Sequence, residues 1–256
     1  MRIKLKSKEE IEILREGGKK HAEILKKLKE EVRPGVSTLD LENMARKLVE
    51  ENGDKPAHLG YTPHGARRPF PAVLCISIND EIVHGIPNEQ PKIIKTGDLV
   101  SIDLSIWHRD LVTDAAITVS CGEPEAEEKH LLDITRRALE AGISEAKPGK
   151  HIGDIGHAIS EVVRGAGLTV AEDLAGHGVG YAVHEEPFVP NFGMKGDGEE
   201  LLPGMVIAIE PMVNMGKQGI KLMSDGYTIK TRDGSKSAHF EHTVAITEKG
   251  NIILTL

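Results

Sequence analysis

Two adjacent apolar segments, each interrupted by one aspartate, constrain the possible fold more than any other part of the chain. Residues 97–119 read GDLVSIDLSIWHRDLVTDAAITV and contain Asp103 and Asp114. In a hairpin centred between His108 and Arg109 these aspartates would face each other, with Cβ atoms about 4.5–5.5 Å apart. Two carboxylates this close do not both ionise unless a cation lies between them. Alternatively, one aspartate is buried and the other faces solvent.

The composition predicts a protein with an aliphatic core. The chain has 256 residues, of which 39% are hydrophobic but only 3% aromatic. This length allows one large domain or two small ones. The net charge of −8 argues against DNA binding. Basic residues nevertheless outnumber acidic ones in residues 1–33, which predicts either a solvated helix face or a patch for an anionic partner.

The two cysteines indicate a reducing environment. Cys75 and Cys121 are far apart in sequence and form neither a disulfide framework nor a cysteine-based zinc motif. The sequence shows no signal peptide and no long apolar run. We therefore expect a soluble, cytoplasmic protein that contacts no membrane, with a monomer as the default assembly.

Hydrophobic periodicity predicts two helices before the hairpin and two after it. A capping box at Ser7–Glu10 opens the first helix, and Pro34-Gly35 ends it. The second predicted helix runs from about Ser37 to Gly53, and a loop that contains His58 and His64 follows. Further helices are predicted near 131–143 and 152–163, and further strands at 72–79, 205–210, 227–230 and 241–246.

The helices and strands form an internal repeat. Pro34-Gly35 matches Pro148-Gly149 at an offset of 114, and GDLVSID (97–103) matches GMVIAIE (204–210) at an offset of 107. We therefore expect a single domain, residues 1–256, with halves of about 1–121 and 122–256. Packing of the halves about a pseudo-two-fold axis would bring together four carboxylates, those of Asp103, Asp114, Glu210 and Glu241.

A histidine is expected to join these acids. The segment AGHGVGYAVHEEP (175–187) carries His177 among glycines that let the backbone approach a site closely. Oxygen ligands with one imidazole and no thiolate suit two divalent ions such as Mn, Fe, Co or Zn. Such ions lower the pKa of a shared water, which predicts metal-assisted hydrolysis. His239 shares the strand face of Glu241 and is a candidate for contacts around this site.

Several motifs together resemble those of the type I methionine aminopeptidases. They are IVHGIP (82–87), SIDLS (101–105), TDAA (113–116), GHGVGYAVHEEP (176–187), IEPM (209–212) and FEHTV (240–244), and the resemblance runs over essentially the whole chain. It implies an α+β pita-bread fold, with antiparallel sheet inside and helices outside. It also implies removal of N-terminal methionine from nascent polypeptides, and makes transient ribosome contact through residues 1–33 a hypothesis.

The resemblance also implies roles for individual residues. Asp103, Asp114, His177, Glu210 and Glu241 resemble the ligands of two metal ions (Co, Mn, Fe or Zn), with Asp114 and Glu241 bridging. His84 would contact the substrate amide, His184 would stabilise the tetrahedral intermediate, and Glu210 would also shuttle a proton. The free α-amine of the substrate would bind the metal pair. By position, the methionine pocket would be lined by Phe70, Cys75 and Tyr227.

Two other functions remain open on the sequence alone. One is an X-Pro aminopeptidase or prolidase on the same fold, although such enzymes usually carry a large domain before the catalytic one. The other is a metal-free binding module that retains the fold. Such a module would tend to lose ligand residues, whereas all five are present here.

Overall fold

The computed structural model describes residues 3–63, 65–171 and 173–256. Its helices and antiparallel strands confirm the α+β class expected from the sequence. His64, which the sequence places in the loop after the second helix, lies outside the described residues.

The first part of the chain forms two helices and five strands. Ser7 begins the first helix as predicted, because its side chain accepts a hydrogen bond from the Glu10 N–H while the Glu10 carboxylate accepts one from the Ser7 N–H. Ser37 and Asp40 form the same reciprocal cap at the second helix. The elements are α1 (Lys8–Glu30), α2 (Thr38–Glu51), β1 (Lys55–Pro56), β2 (Leu74–Ile78), β3 (Glu81–Val83), β4 (Leu99–His108) and β5 (Leu111–Ser120).

The remainder of the chain begins again with two helices and continues as strands. Several of these strands, among them β7 and β8, were not predicted from the sequence. The elements are α3 (Ala126–Glu145), α4 (Ile152–Gly165), β6 (Thr169–Val170), β7 (Ala175–Gly178), β8 (Glu185–Pro190), β9 (Val206–Ile209), β10 (Met212–Asn214), β11 (Ile220–Leu222), β12 (Ile229–Thr231), β13 (Ser237–His239), β14 (His242–Thr247) and β15 (Gly250–Ile253).

The aspartate hairpin forms, but the predicted register is wrong. Strands β4 and β5 pair His108 with Leu111, so Asp114 lies opposite Ser105 rather than opposite Asp103. The reason is the turn at Arg109 and Asp110, where both residues adopt positive φ, of 47° and 63°. Such two-residue turns match the right-handed twist of the flanking strands.

The error in register does not change the sheet face on which the aspartates lie. Moving the turn centre by one residue shifts the pairing by two positions, and side chains alternate with a period of two. Asp103 and Asp114 are thus diagonal neighbours on one face. Both are buried, with 8% and 4% of their surface exposed, which excludes the alternative of a solvent-facing aspartate.

Two antiparallel sheets carry most of the core. One contains β1, β4, β2 and β5, and the other runs β15-β14-β9-β7-β8. Helices α1 and α2 pack their buried leucines and isoleucines onto the first sheet, while α3 and α4 pack onto the second. None of the helices in the described ranges combines the length and apolar character that a membrane span requires.

Strand β5 is hydrogen-bonded directly to β14 and to Glu241, which precedes it. The Asp114 N–H donates to Thr243 Oγ1 at 2.8 Å, and the Thr243 hydroxyl donates back to the Asp114 carbonyl at 2.7 Å. The Glu241 N–H donates to the carbonyl of Ala116 at 2.9 Å. These bonds bring an acid from each half of the chain to one place. The division into halves near residue 121 falls between β5 and α3 and stays a prediction.

Candidate metal centre

One cavity of about 380 Å³ is lined by the predicted metal ligands, the histidines at 84 and 184 and the residues expected to form the methionine pocket. Its walls come from strands and from the loops between them. Among the residues that line it are His84, Asp103, Asp114, His177, His184, Glu210 and Glu241, together with Phe70, Cys75 and Tyr227.

Five of these residues come from strands or strand ends that converge on the cavity. Asp103 lies on β4, Asp114 on β5 and His177 on β7, whereas Glu210 directly follows β9 and Glu241 directly precedes β14. The His177 Nε2 lies 3.4 Å from Glu210 Oε1 and 3.9 Å from Asp114 Oδ2. Ligand atoms of Asp114, His177 and Glu241 all lie within 4.8 Å of one another.

The backbone around His177 explains how it reaches the acids. A Cβ atom added to Gly176 would meet the carbonyl oxygen of Ala208 at 2.2 Å, so only glycine lets β7 lie this close to β9. The His177 Nδ1 donates to the carbonyl of Gly178 at 2.9 Å, which leaves Nε2 facing the carboxylates. Burial lowers the pKa of His177 to about 3, so the ring is neutral and Nε2 is a free lone-pair donor.

The carboxylates repel one another in a buried setting. Burial, followed by the charges of the neighbouring acids, raises the pKa values of Glu210 and Glu241 well above their ordinary range, and the pKa of Asp103 rises in the same way. Burial also raises the pKa of Asp114, to about 7. Ionisation of this cluster therefore requires a compensating positive charge.

Two buried oxygens provide a direct test of whether a cation fits. Asp114 Oδ1 and Glu241 Oε1 are both buried and have no hydrogen-bond partner. Buried polar atoms without partners are unusual and demand an explanation. Carboxylate oxygens and one neutral imidazole nitrogen are ligands for Mn, Fe, Co and Zn. The donor set thus fits divalent cations and has the character of a metal-dependent hydrolase.

The histidines at 84 and 184 lie beside this cluster. His84 follows β3 with a positive φ of 59°, and burial lowers its pKa to about 4. The ring of His184 lies 4.3 Å from that of His177 between centroids, and its Nδ1 is hydrogen-bonded to the Tyr61 hydroxyl at 2.7 Å. Both rings therefore face the cavity without belonging to the compact group of ligand atoms.

An apolar recess adjoins the acids. Phe70, Cys75 and Tyr227 pack in one hydrophobic cluster with Ala72 and Ile86. The rings of Phe70 and Tyr227 meet edge to face at 5.1 Å, and the Tyr227 hydroxyl donates to the carbonyl of Arg68. The three residues that the sequence places in the methionine pocket are thus brought together.

The structure adds residues that the sequence analysis did not assign to the site. His58 and Tyr61 line the cavity, although both come from a loop without periodicity that could have indicated their direction. His239 was a candidate from strand alternation, and its Nε2 lies 3.6 Å from Glu210 Oε2 and 4.0 Å from Glu241 Oε2.

Comparison with known proteins identifies the family. A family model described as metallopeptidase family M24 matches residues 12–248. The methionine aminopeptidase of Aquifex aeolicus is 50% identical over 258 residues, covering 100% of this chain and 99% of that protein. The crystal structure of methionine aminopeptidase from Thermotoga maritima superposes with a TM-score of 0.94 at 40% identity, covering 99% of each chain. The chain belongs to metallopeptidase family M24 and, within it, to the methionine aminopeptidases.

A more distant match bears on the alternative function. The prolidase of Pyrococcus horikoshii superposes with a TM-score of 0.76 at 25% identity, and the match covers 98% of this chain but only 63% of that one. These structural neighbours confirm the pita-bread fold. The higher identity and full mutual coverage favour aminopeptidase over prolidase.

Proposed function

We propose that this metal-dependent aminopeptidase removes the N-terminal methionine of newly synthesised proteins with the aid of two divalent cations. The observation that carries the proposal is the meeting of four buried acids and the Nε2 of His177 beside an apolar recess. Two cations bound there would lower the pKa of a shared water and polarise the carbonyl of the first peptide bond. Asp103, Asp114, His177, Glu210 and Glu241 are the residues that would hold these cations.

The protein groups around the cations supply the proton transfers. Glu210 is the proposed base, because its carboxyl group lies in the cavity and, once cation binding has ionised it, would accept a proton from water. His184 is the proposed donor of a hydrogen bond to the oxygen that becomes negative in the tetrahedral intermediate. Its hydrogen bond with Tyr61 fixes the ring orientation. His84 is the proposed contact to the substrate amide.

The recess accounts for the proposed preference for methionine. An unbranched thioether fits an apolar pocket and makes favourable contacts with aromatic rings, which Phe70 and Tyr227 supply. The α-amine of the substrate would then lie at the acid cluster. Selectivity for a chain terminus would follow because the free α-amine, which no internal residue has, would bind the cations held there.

A peptide assay tests the reaction. The enzyme supplied with Mn²⁺ or Co²⁺ is expected to release methionine from Met-Ala-Ser and to leave an X-Pro peptide intact. Cleavage of the X-Pro peptide alone would overturn the proposal in favour of a prolidase-like enzyme. Metal analysis of the purified protein tests the other alternative, a metal-free binding module. A protein that holds well below one equivalent of metal, and stays inactive when Mn²⁺ or Co²⁺ is added, would be a binding module.

Helix α1 carries several exposed basic side chains. Lys8, Arg15, Lys19, Lys26 and Lys27 are all exposed on it. We propose that this surface contacts the ribosome transiently in the cytoplasm, where the buried, unpaired Cys75 and Cys121 would remain reduced. Co-sedimentation with ribosomes is expected to decrease as salt is raised, because salt screens such contacts. Absence of co-sedimentation at low ionic strength would contradict this contact.

A further inference from the structure

A second group of metal-ligand atoms lies beside the acid cluster. Donor atoms of His58, Cys75 and Asp103 lie within 4.8 Å of one another. All three residues line the same cavity, and Cys75 is part of the apolar recess. Unlike the group formed by Asp114, His177 and Glu241, this one contains a sulfur atom.

The strand pairing brings two of the three donors together. Cys75 on β2 is the direct cross-strand partner of Asp103 on β4, so their side chains lie side by side on one sheet face. A donor atom of Asp103 lies within 4.8 Å of the Cys75 sulfur. His58 is held above the pair because the neighbouring Ala57 N–H donates to the carbonyl of Ser105 at 2.9 Å.

The distance between nitrogen and sulfur is close to that of a zinc site. His58 Nδ1 lies 4.0 Å from Cys75 Sγ. A tetrahedral zinc with Zn–N and Zn–S bonds of about 2.0 and 2.3 Å separates such ligands by about 3.5 Å. A shift of about half an ångström, within the reach of small side-chain rotations, would therefore complete the geometry.

The opposite nitrogen of His58 is already fixed as in a metal ligand. His58 Nε2 is hydrogen-bonded to Ser105 Oγ at 2.7 Å. Histidines that bind metals almost always donate their second ring N–H to such a partner, which fixes the tautomer. With Nε2 donating to Ser105, the lone pair of Nδ1 points towards the thiol and the carboxyl group.

We propose that His58, Cys75 and Asp103 form an inhibitory site for a thiophilic divalent cation such as Zn²⁺ or Cd²⁺ in the methionine recess. Binding displaces the Cys75 S–H proton to solvent and forms the metal–thiolate bond. Hard cations such as Mn²⁺ prefer oxygen ligands and leave this site free. The cation would occupy the space of the methionine side chain and would share the ligand Asp103 with the two proposed catalytic cations. The inhibition rests on the proposed function, whereas cation binding itself does not.

A cadmium titration tests the site directly. Wild-type enzyme loaded with Mn²⁺ is titrated with Cd²⁺ while the thiolate-to-cadmium absorption in the ultraviolet is recorded. We expect this band to saturate at one Cd²⁺ per chain and to be absent from Cys75→Ser. His58→Ala should bind Cd²⁺ at least about tenfold more weakly. Cys121→Ser is the matched control and should keep both the band and the affinity, because Cys121 is buried elsewhere.

An activity measurement distinguishes a failure of the proposed cation site from a failure of the proposed aminopeptidase function. Inhibition of Met-Ala-Ser cleavage by Cd²⁺ should decrease as peptide concentration rises, and should be at least about tenfold weaker in His58→Ala relative to that variant's own uninhibited rate. A missing band in the wild type, a band that persists in Cys75→Ser, or unchanged Cd²⁺ affinity in His58→Ala would each overturn the site. An inactive enzyme that still shows the Cys75-dependent band would contradict only the proposed function.

Discussion

At the scale of single residues, the site depends on histidines in which one ring nitrogen is already hydrogen-bonded within the protein. His177 donates through Nδ1 to the backbone, which directs Nε2 to the acids. His184 is oriented by Tyr61 in the same way. A ring fixed at one nitrogen loses little conformational freedom when the other nitrogen binds a cation or substrate.

Loss of a proposed ligand should remove both metal and activity. In His177→Ala or Asp114→Ala the remaining acids keep their mutual repulsion but lose one donor atom, so cations bind more weakly. We expect metal content well below that of the wild type and a loss of activity of at least about a hundredfold, the upper range for a weakened metal site. Metal analysis and the Met-Ala-Ser assay measure the two effects. Full metal content in either variant would contradict its assignment as a ligand.

His84→Ala should have a different result. His84 faces the cavity but lies outside the compact group of ligand atoms. We expect turnover to decrease about 10²–10³-fold, as for the loss of one hydrogen-bonding group at a reacting centre, while metal content stays at the wild-type level. Loss of the metals together with activity would show that His84 supports the metal centre instead.

The residues of the site were predictable where they lie on periodic elements. Asp103 and Asp114 interrupt apolar strands, and a charged residue in such a position signals function. The same reasoning could not place His58 or Tyr61, because loop side chains follow no period. It also erred in pairing Asp103 with Asp114, since pairing depends on the φ values at Arg109 and Asp110 rather than on the strands themselves.

At the scale of secondary-structure elements, the spacing between β7 and β9 controls the position of His177. A methyl group at Gly176 would collide with the carbonyl of Ala208, and it would also lie 3.3 Å from Cγ of Glu210. Both proposed ligands, His177 and Glu210, are therefore sensitive to this single contact between strands.

Gly176→Ala should consequently affect stability and metal binding together. Overpacking between the strands is expected to cost about 1–3 kcal/mol in the free energy of unfolding and to weaken metal binding at least about tenfold. Denaturant unfolding and metal titration measure these changes. Gly165→Ala is a suitable control, because a Cβ there meets no atom within 4 Å and alanine favours the helix by up to about 1 kcal/mol. Equal metal affinity in Gly176→Ala and wild type would contradict the role of this contact.

The helices were predictable from the sequence to a greater extent than the short strands. Capping residues such as Ser7 and Ser37 mark the start of a helix locally, and both were borne out. Strands such as β7 and β8 contain glycine, proline and charged residues and are stabilised by pairing with distant segments. No local pattern therefore indicates them.

At the scale of the whole molecule, the buried acids link metal binding to pH. Their raised pKa values mean that the folded protein without cations retains protons on the cluster near neutral pH. Cations must displace these protons, so metal affinity should fall as pH decreases through 7, the value near which Asp114 titrates. His177 does not add to this effect because its pKa of about 3 leaves it neutral throughout.

Calorimetry at about pH 6 and about pH 8 would measure this dependence. We expect affinity to be at least about tenfold weaker at the lower pH, and protons to be released on binding. Repeating the titration in buffers with different ionisation enthalpies gives the number of protons. Equal affinity at both pH values, without proton release, would contradict the assignment of the acids as protonated in the metal-free protein.

The hydrogen bonds that join β5 to β14 and to Glu241 also affect the timing of activity during synthesis. Asp114 and Glu241 are separated by more than a hundred residues, yet Thr243 and Ala116 bind them into one structure. A chain still emerging from the exit tunnel can complete its first helices and the aspartate hairpin, but it lacks the proposed metal ligands of its second half. The enzyme would thus begin to process other chains only after its own Glu241 and Thr243 have left the tunnel.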